Sequence, residues 1–367
     1  MNFLFLNSAS RGWGGNEKSI SIAASLLKNE HQAILAYRKS NIGKNFHINK
    51  YQLPFISEFD IYTIIKIINI VKKHKIDIII PSKRKDYFLA GIASRICGIK
   101  NVLWLGEMRD LKNRQTYNIV FNKLADGIIV NAKAIKDTLL KSDYMKAHKI
   151  KVIYSGIDIE NILSATTGAK GKDPSLMTIT SMGRLDKNKS HRFLIESFNL
   201  FLTYNKNIKS RLVIIGDGPE KNDLMNFSKQ LNIENKIQFT GFLDNPYPLL
   251  CDSDVFTMTS VTEGLSIALL ESMFLQNAPV STYAGGGVTE IIKDGKNGFL
   301  ITYGNSKQLA DVLYLLHENP ELRKKIASAA REQVIEQFST DKMKSEIVSF
   351  LQSLITSDLI KKRTAFG

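Results

Sequence analysis

No run of uninterrupted apolar residues in this chain approaches the ~18–20 that a membrane-spanning helix needs, so the sequence offers no such helix. Cysteine is scarce. Cys97 and Cys251 are the only two, far apart in sequence. That excludes a disulfide framework and a Cys-based zinc site, and it fits a reducing compartment. The six histidines, at 31, 47, 74, 148, 191 and 317, show no metal-ligand spacing. The opening residues, MNFLFLNSASRGWGG, have no basic residue before their short apolar run. They read as a buried strand rather than a secretory signal. With no targeting segment, the expected location is the cytoplasm.

Acidic residues are in short supply, but only in one half. Residues 1–165 hold 26 Lys+Arg against 13 Asp+Glu, and residues 166–367 hold 24 against 22. Of the net +15, the first half therefore carries +13. Such asymmetry points to a face that meets an anionic partner: acidic lipid, a phosphorylated acceptor or nucleic acid. Solvated lysines from a lysine-rich composition are the plain alternative. Basic and aromatic residues gather at Arg109, Lys112, Arg114, Tyr117, Phe121 and Lys123, a candidate membrane-facing patch or a solvated helix face.

At 367 residues the chain has room for two domains. Short apolar runs alternate with helical patterns through the first half: strands at 2–7, 32–37, 77–81, 101–105, 128–131 and 152–154, helices at about 17–29, 61–75 and 88–97. Strand–helix alternation implies a parallel sheet covered on both faces. A polar stretch, SATTGAKGKDPS at 164–175, reads as a linker. The same grammar then restarts, with strands at 176–181, 211–215, 237–240, 255–259, 278–281 and 298–301. The expected organisation is a domain over 1–163, the linker, a second domain over 176–339, and a last helix within 340–367. That helix carries an apolar stripe of Met343, Ile347, Phe350, Leu351 and Leu354, which must be buried somewhere. Two such α/β halves predict a cleft at the carboxyl ends of their strands.

Five constellations carry candidate chemistry. Glu263-Gly264-Leu265-Ser266, with Glu271 eight positions after Glu263, spans a strand-to-helix loop and the first turns of a helix. A carboxylate there can accept hydrogen bonds from a ribose diol, and the helix start offers N–H groups to a diphosphate. Ordinary N-terminal helix carboxylates would look the same. GRLDKNKS places Arg184 and Lys189 in one loop after a strand, suited to gripping a diphosphate and neutralising its charge as it leaves. A solvated basic loop is the alternative. Gly216-Asp217-Gly218-Pro219 permits a sharp turn and close backbone approach. Gly285-Gly286-Gly287 with Glu290 can cradle phosphate, or merely turn the chain. Gly12-Trp13-Gly14-Gly15-Asn16-Glu17 leads into a helix but lacks the dinucleotide-binding spacing. Asp252-Ser253-Asp254 resembles a metal motif, yet it precedes a buried strand with no third ligand in view, so it reads as a turn capping the preceding helix.

In order, the glycine pair with Glu17, YSGID, GRL with Lys189 five on, GDGP, FTGF, the E-x7-E pair and GGG with Glu290 resemble the family 4 glycosyltransferases. These motifs run from about residue 12 to 300. The resemblance implies an α/β fold of two Rossmann-like domains facing each other across a cleft (GT-B), with the last helix crossing back to the first domain. It implies a retaining transfer of sugar from a nucleotide-diphosphate sugar, with no metal or other cofactor. Arg184 and Lys189 would hold the diphosphate and Glu263 would face the donor sugar, these three being the catalytic candidates. Glu271 would bind the ribose. Gly14, Gly15, Gly183, Gly216, Gly218, Gly264, Leu265 and Ser266 would complete the donor site. Many relatives carry a histidine after the strand NVLWL. This chain has Gly106-Glu107-Met108-Arg109-Asp110 there, which leaves Glu107 and Asp110 as acceptor-side candidates.

By the same resemblance the expected partners are the nucleotide-sugar donor and a glycan or lipid-linked acceptor in bacterial surface-glycan synthesis. The basic first half adds an anionic membrane inner surface as a peripheral location. Two other classes compete. A sugar-nucleotide epimerase of similar architecture would turn over with no acceptor. A nucleic-acid binder would suit the charge, but the chain has no RNA-binding motif, and acidic residues in the site would repel phosphate. No nucleic-acid partner is expected.

Overall fold

The computed structural model describes residues 1–10, 13–106 and 115–364, with side chains through Thr356. It divides into two units: Met1–Gly156 together with the segment from Thr340 onward, and Ile157–Ser339.

The first unit is built on seven parallel strands: β1 (Asn2–Asn7), β2 (Gln32–Tyr37), β3 (Asn49–Gln52), β4 (Ile78–Pro81), β5 (Lys100–Leu105), β6 (Gly127–Val130) and β7 (Ile150–Val152). Their order is β3-β2-β1-β4-β5-β6-β7. The helices between them are α1 (Gly15–Leu27), α2 (Ser40–Gly43), α3 (Ile61–His74), α4 (Arg84–Cys97), α5 (Gln115–Asn118), which runs on into a π-helical turn, and α6 (Lys133–Leu140). The run NFLFLN forms the central strand because its alternate residues serve two cores. Phe3 and Phe5 pack with Ile20, Ala24 and Trp104 on one face. Leu4 and Leu6 pack with Ile64, Ile67 and Leu89 on the other. A strand buried on both faces has no polar alternation to show.

β3 was not anticipated. Its sequence NKYQ is mostly exposed and it pairs with β2 alone, so an edge strand here carries no apolar run. α6 was also missed. Only Ile135 and Leu139 are buried on it, and its N-cap, Ala132, contributes no capping side chain. α4 starts four residues earlier than expected, at Arg84, because Asp86 closes a capping box onto the Lys83 backbone.

The second unit repeats the plan with six parallel strands: β8 (Met177–Met182), β9 (Ser210–Ile215), β10 (Ile237–Gly241), β11 (Val255–Met258), β12 (Ala278–Thr282) and β13 (Phe299–Ile301), ordered β10-β9-β8-β11-β12-β13. Its helices are α7 (Ile159–Ser164), α8 (His191–Thr203), α9 (Lys221–Gln230), α10 (Tyr247–Cys251), α11 (Ile267–Phe274), α12 (Val288–Ile291), α13 (Ser306–Glu318) and α14 (Pro320–Gln337). The passage from the first unit falls at Gly156–Ile157, ahead of the expected linker. The stretch 164–175 is instead tied to the second unit. The N–H groups of Lys170 and Gly171 donate to Asp252 Oδ1 at 2.9 and 2.8 Å, and Lys172 Nζ donates to the Gln276 carbonyl at 2.6 Å. Polar composition marked a segment poor in core contacts, not one that is free.

The last helix, α15 (Thr340–Thr364), belongs to the first unit. Its Met343, Ile347 and Leu351 enter the core that holds Phe3, Phe5 and Trp104. Its Phe350 and Leu354 lie over Gly127, where an added Cβ would come within 2.9 Å of both side chains. The expected apolar stripe is thus buried, and a glycine on β6 makes room for it.

Candidate active site

The loop after β8 and the loop after β11 leave neighbouring strands of one parallel sheet at their carboxyl ends. The two are stapled together by Asn188. Its carbonyl accepts from Val261 N (2.8 Å), its Oδ1 accepts from Thr262 N (3.2 Å) and Thr262 Oγ1 (2.9 Å), and its Nδ2 donates to the Thr262 carbonyl (3.0 Å). Thr259 Oγ1 adds bonds to the carbonyls of Lys189 and Ser190. Ser190 takes a left-handed conformation, φ 52°, just before α8.

This frame brings Lys189 and Glu263 together. Lys189 Nζ donates to Glu263 Oε2 in an ion pair, and Ser260 Oγ donates to the same oxygen at 3.1 Å. The two side chains are 23 % and 17 % exposed, so the pair is reachable from solvent yet partly shielded from it. Arg184, from the same loop, is about half exposed and lies 3.6 Å from Asp186 rather than joining the pair.

Two glycines of GDGP fix the floor of this loop. Gly216 has φ 141°, and a Cβ there would stand 1.9 Å from the Gly183 carbonyl oxygen. A Cβ on Gly218 would stand 2.3 Å from the Leu185 carbonyl oxygen. Leu185 N donates to the Asp217 carbonyl and Gly183 N to the Ile215 carbonyl, both at 3.0 Å. The backbone of residues 216–218 therefore lies directly against that of 183–185, and only glycine permits it.

The glycine-rich loop after β12 closes the other side. Glu263 N donates to the Ala284 carbonyl (2.9 Å), and Gly287 N donates to the Gly264 carbonyl (3.1 Å). Ala284, Gly285 and Gly286 all have positive φ. Ser266 is the N-cap of α11, its hydroxyl accepting from Leu269 N, so Gly264 and Leu265 lead straight into a helix N-terminus. That terminus carries the partial positive charge of the helix dipole. Just over one turn on, Glu271 is 2 % exposed and accepts from Tyr247 Oη at 3.1 Å. His191, the first residue of α8, is also buried. Burial, reinforced by the Lys189 charge, holds its pKa down to about 4, and its Nδ1 has no hydrogen-bond partner among the described residues.

The second unit thus gathers Gly183, Arg184, Lys189, Gly216, Gly218, Glu263, Gly264, Leu265, Ser266 and Glu271 on three loops and one helix of one sheet. Gly14 and Gly15 lie on the first unit, as the N-cap and first residue of α1. Glu107, Asp110 and Gly12 fall outside the described residues. In the basic–aromatic patch, Arg109, Lys112 and Arg114 also fall outside, and Phe121 is a correction: it is 1 % exposed, packed in the core with Tyr87 and Leu103. Asp252 holds the 170–171 backbone, and Asp254 accepts from Thr178 N (2.9 Å) and pairs with Arg323 (3.4 Å), which occupies both carboxylates of that motif structurally. Sequence reasoning missed Asn188, Tyr247 and Ser260. Asn188 lay in plain view inside GRLDKNKS. Tyr247 had no signal, since nothing in its spacing links it to Glu271.

Two family models match the chain. Residues 20–161 match "Glycosyltransferase Family 4" and residues 167–333 match "Glycosyl transferases group 1". The chain is 31 % identical over 239 residues to N-acetylgalactosamine-N,N'-diacetylbacillosaminyl-diphospho-undecaprenol 4-alpha-N-acetylgalactosaminyltransferase of Campylobacter jejuni, covering 64 % of this chain and 62 % of that one. It is 27 % identical over 258 residues to the UDP-Gal:alpha-D-GlcNAc-diphosphoundecaprenol alpha-1,3-galactosyltransferase of Escherichia coli, covering 66 % of each. In both cases it spans less than two thirds of the relative's length. In fold it is similar to HepE of Anabaena, solved in complex with UDP, with a TM-score of 0.81 and 22 % identity over 96 % of this chain and 100 % of that one.

Proposed function

The chain belongs to the family 4 glycosyltransferases, and from that premise we propose that it moves a sugar from a nucleotide-diphosphate sugar to a hydroxyl of a glycan or lipid-linked acceptor. The observation that carries the reading is the Lys189–Glu263 pair, set by Asn188 and floored by the 216–218 backbone. A cation, a carboxylate and a helix N-terminus on adjoining loops make a place for a diphosphate and the sugar attached to it. Arg184 and Lys189 neutralise the departing diphosphate, and the start of α11 adds its N–H groups. Glu271, buried and already accepting from Tyr247, takes the ribose hydroxyls. Glu263 faces the sugar.

The chemistry then needs no covalent step on the protein. As the bond to the diphosphate breaks, an oxocarbenium-like centre forms, and the acceptor hydroxyl attacks from the face the diphosphate leaves. A phosphate oxygen takes the acceptor proton, and the anomeric configuration is retained. Positioning and fixed charge supply the catalysis, with the two cations in the role a metal fills elsewhere. Relatives whose names specify diphospho-undecaprenol substrates favour a lipid-linked acceptor in bacterial surface-glycan synthesis. With the charge of the first half, that acceptor implies work at an anionic membrane surface.

A thermal-shift screen of nucleotide sugars tests the reading, because a ligand at 100 times its Kd stabilises the folded chain by about 2.7 kcal/mol. One nucleotide-diphosphate sugar raising Tm by several degrees is the expected result, followed by turnover only when an acceptor is added. An epimerase would consume the donor alone, and no response to any nucleotide would overturn the proposal.

A further inference from the structure

The first unit carries an apolar knuckle that nothing in the described residues covers. Ile56, Phe59, Ile61, Tyr62 and Ile65 are 70, 70, 71, 57 and 51 % exposed, five large apolar side chains within ten positions. Scattered exposed apolar residues are ordinary, but a contiguous group marks a contact surface.

The exposure is built in. Asp60, the N-cap of α3, accepts from Thr63 N (3.0 Å) and Thr63 Oγ1 (2.6 Å), and also from Ile56 N (2.9 Å). Phe55 N donates to Thr63 Oγ1 at 3.2 Å. Lys85 Nζ donates to the carbonyls of Phe55 and Ile56 at 3.0 and 2.8 Å. Phe55, at φ 46°, turns its own ring into the core. The loop is therefore pinned with one aromatic inside and Ile56 and Phe59 outside. Phe59 touches Phe88 edge-on at 4.8 Å and stays open to solvent.

Charge decides what fits this face. Along α3 the same exposed side continues into Lys66, Lys72 and Lys73. Lys66 Nζ lies 5.2 Å over the Tyr62 ring. Arg84 is exposed beside the loop, 3.5 Å from Glu58. Between residues 53 and 75 the only acids are Glu58, so paired, and Asp60, buried in its cap. A tip of isoleucine and aromatic side chains ringed by lysines that make no ion pair among the described residues matches the interface of an anionic bilayer, where apolar groups enter the acyl boundary and cations meet phosphate.

We infer that the Ile56–Ile65 knuckle is a docking face for an anionic phospholipid bilayer. This face differs from the 109–123 patch that the sequence singled out. The geometry stands apart from the transfer chemistry, and so does its test. The full chain is sedimented with vesicles of phosphatidylcholine alone and of phosphatidylcholine with phosphatidylglycerol at 7:3, which hold neither donor nor acceptor. Binding to the anionic vesicles, weakened by high salt, is expected. The double variant Ile56→Ser, Phe59→Ser should lower partitioning by tenfold or more, and Lys66→Gln by about fivefold, with Tm unchanged because these side chains are exposed. Equal binding by wild type and the double variant overturns the inference. So does a light-scattering result in which that variant dissociates a dimer while vesicle binding is absent, which would make the face a protein interface.

Discussion

Replacing Lys189 by methionine removes one charge from the site while keeping an unbranched side chain only one atom shorter. In the structure this leaves Glu263 with the Ser260 hydroxyl at 3.1 Å and no cation. Because the pair is partly exposed, the cost in stability should be about 1 kcal/mol, a shift in Tm of a few degrees. The effect on transfer should be far larger. A fixed cation that stabilises a leaving diphosphate contributes roughly 3–4 kcal/mol to the transition state, or about 10²–10³ in kcat. Glu263→Gln gives the opposite sign in binding. In the free protein Glu263 competes for Lys189, so removing its charge should strengthen UDP binding while transfer still falls. Calorimetric titration with UDP and initial rates with the donor found by thermal shift give both numbers. If Lys189→Met keeps kcat/KM within threefold of wild type while folded, the assignment of the diphosphate to this loop is wrong. If both variants weaken UDP equally, the ion pair is a structural clip rather than part of the donor site.

Other outcomes follow from the same geometry. Gly216→Ala must push a Cβ into the Gly183 carbonyl at 1.9 Å, so it should destabilise by about 3 kcal/mol or more and abolish UDP binding. Gly285→Ala, whose Cβ meets nothing within 4 Å, should cost only about 1 kcal/mol of left-handed strain, read as Tm. His191, held at about 4 by burial against an ordinary 6.5, stays neutral in the folded chain while the unfolded chain protonates. Its contribution of roughly 3 kcal/mol is complete above pH 6.5 and is lost as pH falls toward 4. Asp86, pushed up to about 6 by burial, has the reverse sign: the fold gains roughly 3 kcal/mol as pH falls from 6 to 3.8. Asp86→Asn should therefore steepen the loss of Tm between pH 6.5 and 4.5, and His191→Gln should flatten it. Leu351→Ala, emptying a fully buried position of α15, should cost about 2–5 kcal/mol by denaturant titration.

Much of this architecture was legible because doubly covered parallel strands announce themselves as unbroken apolar runs. NFLFLN, IDIII, RLVII and VFTMT became β1, β4, β9 and β11. Where a strand lies at an edge the signal disappears, as at β3, whose NKYQ faces water. The glycines of GDGP were readable as a sharp turn, but not what they lie against, because the Gly183 carbonyl is brought to Gly216 only by the pairing of β8 with β9. The same applies to Glu271. Its place on a helix followed from spacing, whereas Tyr247, twenty-four positions earlier, reaches it through the fold alone. The linker was misplaced for a related reason: hydrogen bonds from backbone N–H groups to Asp252 leave no compositional trace.

The most direct test of the donor site compares two ligands on one conservative variant. Wild type and Glu271→Gln are titrated with UDP and with inorganic pyrophosphate, which share the diphosphate and differ in the uridine, ribose and base together. If the buried carboxylate binds the ribose, the variant weakens UDP by about 10- to 100-fold, the worth of a charged hydrogen bond or two, and leaves pyrophosphate unchanged. Equal losses for both ligands, or none for either, would contradict it.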